Sequence, residues 1–296
     1  MKQPLVSILI PVTGNASYLE LSLTSVLLQT YSNIEIIIRD PTPTDQIQIF
    51  LEKEFLPYSN KITYIKSTNY MNRLEVLQEL LGLSKGSYIN FLLEGDLFYP
   101  TKIEEMMNYF MKDLTNSIKL ITSNIAYIDI HGNQIDKIDE IQKTDAQWNN
   151  ILSSNLILKH PNSGWGLSTP LFRKQDLIQP FGCFAGHQFI KEIGVASWLT
   201  LVSKGSCRLI AEELTFERKN IDYKINMDLI TDWINLLRII QPHNFGITQT
   251  TKSKVIKKIS GWIDYLLSNK HNMLTLIERE KIHEYKEYLY KLQTTV

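Results

Sequence analysis

The sequence predicts an α/β protein, a mostly parallel sheet flanked by helices, followed by a helical C-terminal extension. Two observations carry this. Through about residue 130, short apolar runs alternate with amphipathic stretches at helical spacing. Beyond Asp228 the apolar positions fall at helical spacing throughout. The size agrees: 296 residues, 44% hydrophobic and 21% charged, suit one large domain or one domain with an appendage.

The first half justifies its elements in order. Strands are expected at Val6 to Ile10, Ile34 to Ile38, Ile62 to Ile65, Tyr88 to Leu93 and Leu120 to Ile128. Leu19, Leu23, Val26 and Leu27 line the inner face of a first helix with Asn15 or Ser17 as N-cap. Another helix is expected to start at Pro100, and His131-Gly132-Asn133 reads as a turn. Between Gln134 and Arg218 the order is less regular. Helices are expected near Ala146 to Ser154 and Phe189 to Ser203, and strands near Thr169 to Phe172 and Arg208 to Phe216. The tail reads as helices over Ile230 to Ile240, Lys254 to Leu267 and Leu274 to Leu292, dividing the chain into 1–222 and 223–296.

Composition excludes some partners. Thirty-one basic residues balance thirty-one acidic ones, so no net field recruits nucleic acid or an anionic membrane. The apolar "PLVSILIPV" is too short for a membrane span and carries a proline near each end, so it reads as a buried strand and the protein as soluble and cytoplasmic. In that compartment the Asn15-Ala16-Ser17 sequon is idle, and Cys183 and Cys207 read as free core thiols.

Open parallel sheets bind ligands beyond the carboxyl ends of their strands. Three polar strand ends therefore matter most: "PVTGNAS", "RDPTPTD" and "LEGD". At these positions the chain resembles the family 2 glycosyltransferases, inverting enzymes of the GT-A, Rossmann-like fold that use nucleotide-diphosphate sugars. The resemblance is carried by "VSILIPVTGNASYLELSLTSVLLQTYSNIEIIIRD", by "SKGSYINFLLEGDLFYPTKIEEM", by "TPLFRK" and "PFGCF", and by "WLTLVSKGSCRLIAEELTFERK", over roughly residues 4 to 220. It implies a nucleotide-diphosphate-sugar donor, commonly UDP-linked, and a glycan, lipid-linked or protein acceptor. It also implies a divalent Mn or Mg ion on strand-end carboxylates, and a carboxylate base.

Residue by residue, the carry-over is uneven. Asp40 stands where the family reads the nucleobase N–H, and Pro11 and Val12 where it flanks the base. The family's D-D-G-S-T-D is here Asp40-Pro41-Thr42-Pro43-Thr44-Asp45, Thr13-Gly14 replaces Tyr-Asn, and A-R-N becomes Val76-Leu77-Gln78. Against D-x-D-D this chain offers Leu93-Glu94-Gly95-Asp96, so the metal falls to a displaced pair, Glu94 and Asp96. Two apart, they share one side of a regular strand, and a turn would converge them on one ion. The segment that carries the family's base reads Ile193-Gly194-Val195-Ala196-Ser197, with no acid. Glu192 is the nearest carboxylate and His187 the nearest imidazole.

Several residues keep two readings. Trp165 is a sugar platform or a core plug. Arg173 and Arg218 are phosphate partners or members of salt bridges. The basic amphipathic stretch Thr250 to Leu267, with Lys252, Lys254, Lys257, Lys258 and Trp262, lies on a membrane or protein partner or packs on its own domain. The function expected is sugar transfer. The alternative is a degenerate GT-A domain that has lost metal and base and serves as a binding or scaffold subunit.

Overall fold

Strand β1 (Val6–Pro11) is buried at every position, as a strand covered on both faces must be. The computed structural model describes residues 3–67, 69–135, 142–161, 163–219, 225–242, 245–268 and 274–294; the expected division at 222 lies outside them. After β1 come α1 (Ala16–Leu27), β2 (Ile34–Asp40), α2 (Gln46–Glu54), β3 (Ile62–Lys66), α3 (Arg73–Leu83) and β4 (Tyr88–Phe91). Then follow β5 (Leu97–Phe98), α4 (Lys102–Lys112), β6 (Ile118–Ile128), β7 (Gln134–Ile135), β8 (Ala146–Trp148), α5 (Asn150–Lys159) and β9 (Leu171–Arg173). The hairpin β10 (Cys183–Phe184) and β11 (His187–Gln188) leads to α6 (Ile193–Val202), β12 (Ser206–Arg218) and the extension helices α7 (Met227–Ile240), α8 (Gln249–Ser268) and α9 (Leu276–Thr294).

The main sheet runs β3-β2-β1-β4-β9-β6-β12-β5, with β7 on β6 and β8 on β12. β3, β2, β1 and β4 are parallel. β9 runs antiparallel to β4 and β6, and β6 and β12 are parallel with an irregularity around Ile210 to Thr215. Alternation along the strands sorts the core into two layers. Ile8, Ile10 and Ile38 pack with Leu19, Leu23, Met106 and Phe110 under α1 and α4. Leu9 and Ile37 face the other way, into a cluster with Leu80, Phe172, Trp198, Trp233 and Ile259. That second layer runs without a break from sheet to extension. Aromatic contacts knit its centre, with Phe181 5.7 Å from Trp198 and 4.9 Å from Phe91, ring centre to ring centre.

Local signals set the helix starts. Asn15 caps α1 by accepting the Tyr18 N–H, and Asn72 and Glu75 form a reciprocal capping box on α3. Two expectations are corrected. Ala146–Trp148 forms a strand on β12, and the helix begins at Asn150, capped by Asn149. The helix expected at Pro100 begins at Lys102, because Leu97–Phe98 first pairs with Thr215 and Phe216. The apolar face of α8 is spent on its own protein: Val255, Ile256, Ile259 and Ile263 are buried, and α8 packs on α5, α7 and α9. Among the described residues no helix is long and apolar enough to cross a membrane.

Candidate active site

A cleft of about 600 Å³ opens beyond the carboxyl ends of β1, β2 and β4, where parallel sheets place ligands. Pro11, Val12 and Thr13 form one wall, Pro41, Thr42 and Pro43 the rim, Tyr70, Met71 and Arg73 the opposite side, and Leu93, Glu94, Asp96 and Arg218 the base. Four of the six site residues expected from sequence, Pro11, Val12, Glu94 and Asp96, thus meet here. Asp40 and Glu192 stand behind the walls.

Asp40 is fully buried. Its Oδ1 accepts the Thr42 N–H at 2.9 Å, and its Oδ2 accepts Tyr64 Oη at 2.8 Å and Lys66 Nζ at 3.1 Å. Lys66 is its partner in register on β3. Burial alone would raise the carboxyl pKa, but the bonds from Thr42, Tyr64 and Lys66 hold it below the ordinary value. Its carboxylate therefore braces the Pro41–Pro43 rim from behind.

Glu94 and Asp96 do not converge. Gly95, at φ +96°, turns the chain between them and ends the strand alternation. Glu94 reaches across to the β1–α1 loop. Its Oε2 accepts the N–H groups of Thr13 (2.8 Å) and Gly14 (3.1 Å), and its Oε1 accepts Asn15 N–H and Thr13 Oγ1, both at 2.8 Å. Four donors fill its four lone-pair positions. Asp96 points to the floor, where its Oδ2 accepts Ser168 Oγ and its Oδ1 the Arg218 N–H at 2.9 Å. It retains unused lone pairs. Among the described residues no three His, Cys, Asp or Glu side chains surround a common ion position. Of the two expected ligands, Asp96 is the one with lone pairs to spare, whereas Glu94 would first have to release the loop.

The floor is the electrostatically unusual part. Lys102 has no exposed surface; its ammonium donates to Ser168 O and lies 3.7 Å from the Phe98 ring centre. Glu217 accepts Thr169 Oγ1 at 2.9 Å. Burial pushes the Asp96 carboxyl up to about 6 against the pull of Ser168, the Arg218 N–H and Lys102. Burial and then Asp96 push Glu217 up to about 7, and burial drives Lys102 well below its usual value. Sequence reading found Asp96 but not Glu217 or Lys102, whose proximity depends on β12 and α4 meeting in space.

Arg73, with Tyr70 and Met71, lines the cleft from a segment that no sequence motif marks. It opens α3, lines the cleft, and makes no hydrogen bond or ion pair among the described residues. The residue as a whole is exposed, yet burial around the guanidinium draws its pKa down, with Asp96 and Glu192 drawing it back up. Tyr70, 92% exposed, stands beside it. Arg218 also lines the cleft, with Nε donating to Gly95 O at 3.1 Å and the guanidinium over Tyr18. Arg173 does not. It lies by Tyr88, at the opposite end of β4, paired with Asp176 at 2.8 Å. Trp165 is 2% exposed and belongs to the core, its carbonyl accepting Trp198 Nε1 at 2.8 Å.

Glu192 is half-buried just before α6, and its Oε1 accepts Trp233 Nε1 at 2.7 Å. Burial raises its pKa, with Trp233, Lys258 and Arg73 opposing the rise and Asp232 adding to it. His187 sits on the β10–β11 hairpin with Nε2 3.2 Å from Asn235 Nδ2, outside the cleft lining. Val195, Ala196 and Ser197 are buried.

Comparison with known proteins agrees with this geometry. Residues 7–160 match the profile described as Glycosyl transferase family 2. An uncharacterized glycosyltransferase of Rickettsia felis is 35% identical over 132 residues, covering 45% of this chain and 21% of that protein. One from Haemophilus influenzae is 30% identical over 147 residues, covering 49% and 56%. The chain thus spans about a fifth to a half of the length of these relatives. Among solved structures, S. aureus TarS 1-349 in complex with UDP-GlcNAc superposes with a TM-score of 0.67 at 11% identity, over 95% of this chain and 79% of that one. The same TarS fragment with UDP gives 0.62 at 9% identity, over 93% and 77%. At these identities the likeness shows the shared fold.

Proposed function

Since the chain belongs to glycosyl transferase family 2, we propose that it moves a sugar from a nucleotide-diphosphate donor, UDP-linked, to a glycan, lipid-linked or protein acceptor, with inversion at the anomeric carbon. The observation that carries this is the strand-end cleft, with Asp96 on its floor and, on its wall, the Arg73 guanidinium, which makes no hydrogen bond or ion pair among the described residues. The TarS complexes, which hold UDP and UDP-GlcNAc in a similar fold, support the choice of donor. The glycosyltransferase names of the relatives favour an enzyme over a scaffold.

In this reading the nucleobase lies against Pro11, Val12 and the Pro41–Pro43 rim that Asp40 braces, beneath Tyr70. The diphosphate meets Arg73, whose charged donors match phosphate oxygens. A Mn or Mg ion on Asp96 would neutralise the same diphosphate and ease its departure. As the acceptor oxygen bonds to the anomeric carbon and the carbon–oxygen bond to the diphosphate breaks on the opposite face, the acceptor proton passes to Glu192, whose carboxylate stands behind the cleft wall near Arg73 and must turn toward the cleft to take it.

Calorimetric titration of the full chain with UDP and UDP-GlcNAc, each with and without Mn, tests the donor site. UDP should bind, more tightly with Mn, and Asp96→Asn should erase the Mn contribution while leaving metal-free UDP binding in place. No heat with either ligand overturns the donor reading. A Mn effect that survives Asp96→Asn moves the ion elsewhere.

A further inference from the structure

The extension lies outside the matched region, yet three of its side chains act on one acid of the proposed site. From α7, Asp232 Oδ2 accepts the N–H groups of Ile190, Lys191 and Glu192 at 2.9, 2.7 and 3.0 Å, which fixes the segment leading into α6. The neighbouring Trp233, with no exposed surface, donates its indole N–H to Glu192. From α8, Lys258 turns inward from the basic face, its ammonium 4.5 Å from the Trp233 ring centre and 4.6 Å from that of Trp262. A salt bridge would serve Lys258 equally well at the surface. Instead it is half-buried between two indoles and interacts electrostatically with Glu192.

We infer that the extension is a working part of the transfer site, with Trp233 and Lys258 as positioning residues that aim the Glu192 carboxylate and supply positive charge beside it. The inference rests on Glu192 as the base. A base must be ionised before it takes a proton, and a carboxylate moved out of water needs compensating donors and cations. Here the indole N–H is the donor and Lys258 the cation. The other charges around Glu192 are Arg73 from α3, on the cleft side, and Asp232 from α7, a like charge itself occupied by three N–H groups and faced by His187. With Lys258 removed, Arg73 alone among these cations faces Glu192, and Asp232 still repels it. The carboxyl should then hold its proton to higher pH.

The test is a carboxyl ¹³C NMR titration of the 296-residue chain carrying ¹³C-labelled glutamate, with the Glu192 resonance identified by its loss in Glu192→Gln. Lys258 is chosen because it is half-buried on a helix face, whereas replacing the fully buried Trp233 endangers the fold. Lys258→Gln should move the Glu192 midpoint to higher pH, and Lys258→Arg should return it toward wild type. In parallel, UDP release from UDP-GlcNAc should show its acidic limb shifted the same way in Lys258→Gln, with a several-fold loss below the limb and little above it. An unmoved Glu192 midpoint in Lys258→Gln overturns the inference while leaving the base in place. Wild-type UDP release by Glu192→Gln removes the base, and the role of the extension with it, even where the midpoint moves.

Discussion

The carboxylates of the strand-end loops and those of the cleft floor are the same chemical groups put to opposite uses. Asp40 and Glu94 meet crowds of donors: three on one, four on the other. For Asp40 those bonds outweigh burial and keep the acid easily ionised. Asp96 and Glu217 share a drier place with fewer donors, and burial wins. The difference lies in backbone geometry. Loops at strand ends expose N–H groups that a carboxylate can gather, whereas the floor offers the Ser168 and Thr169 hydroxyls, one N–H and a lysine whose own charge is costly to bury.

Arg73, with no hydrogen bond or ion pair among the described residues, gives the largest expected effect on this contrast. Arg73→Met keeps the stem and removes the charge, and should weaken UDP binding by about 10- to 100-fold, the worth of hydrogen bonds to a charged partner. Unchanged affinity by calorimetry would mean that the diphosphate is neutralised from the floor instead. Next, Glu94→Gln keeps the shape but replaces one acceptor oxygen by a donor group, leaving N–H groups of Thr13, Gly14 or Asn15 without their acceptor. Urea unfolding should show a loss of about 1 to 2 kcal/mol. No loss would make Glu94 free to serve elsewhere.

The smallest effect concerns pH. Glu217 is raised to about 7 in the folded chain, against roughly 4.3 for a free glutamate. The native state then binds more protons than the unfolded one between those values, so this group's contribution to stability falls as pH rises from about 4 to 7. Glu217→Gln should flatten that slope, by on the order of 1 kcal/mol once solvent at the half-buried carboxyl is allowed for. An unchanged slope in thermal melts at a series of pH values would place the titrating acid at Asp96.

The parts of this design that were legible in sequence are those written in local patterns. The unbroken apolar run of β1, the spacing of Leu19, Leu23 and Val26, and the Asn15 cap need no distant partner to be recognised. β5 and β8, two and three residues long, exist only because β12 pairs with them, so no local periodicity announces them. The pairing of Glu94 with Asp96 as one ligand set expected a turn to converge them, whereas the turn at Gly95 sends them apart. Arg73 was hidden for a similar reason. It lies one helical turn before Val76-Leu77-Gln78, where the family's A-R-N falls, and only the packing of α3 brings it to the cleft. Trp233 and Glu192 are 41 positions apart, and their bond has no trace in either segment.

The uninterrupted core between sheet and extension also bears on how the molecule comes apart. Trp233, Ile259 and Leu289 share one cluster with Leu9, Phe91 and Phe172. Heat or denaturant that loosens α7 and α8 strips cover from the middle of the sheet, and opening the sheet leaves the helices without the surface they pack on. Elements bound in this way lose structure cooperatively. A thermal melt followed at the tail should therefore show no transition separate from that of the sheet.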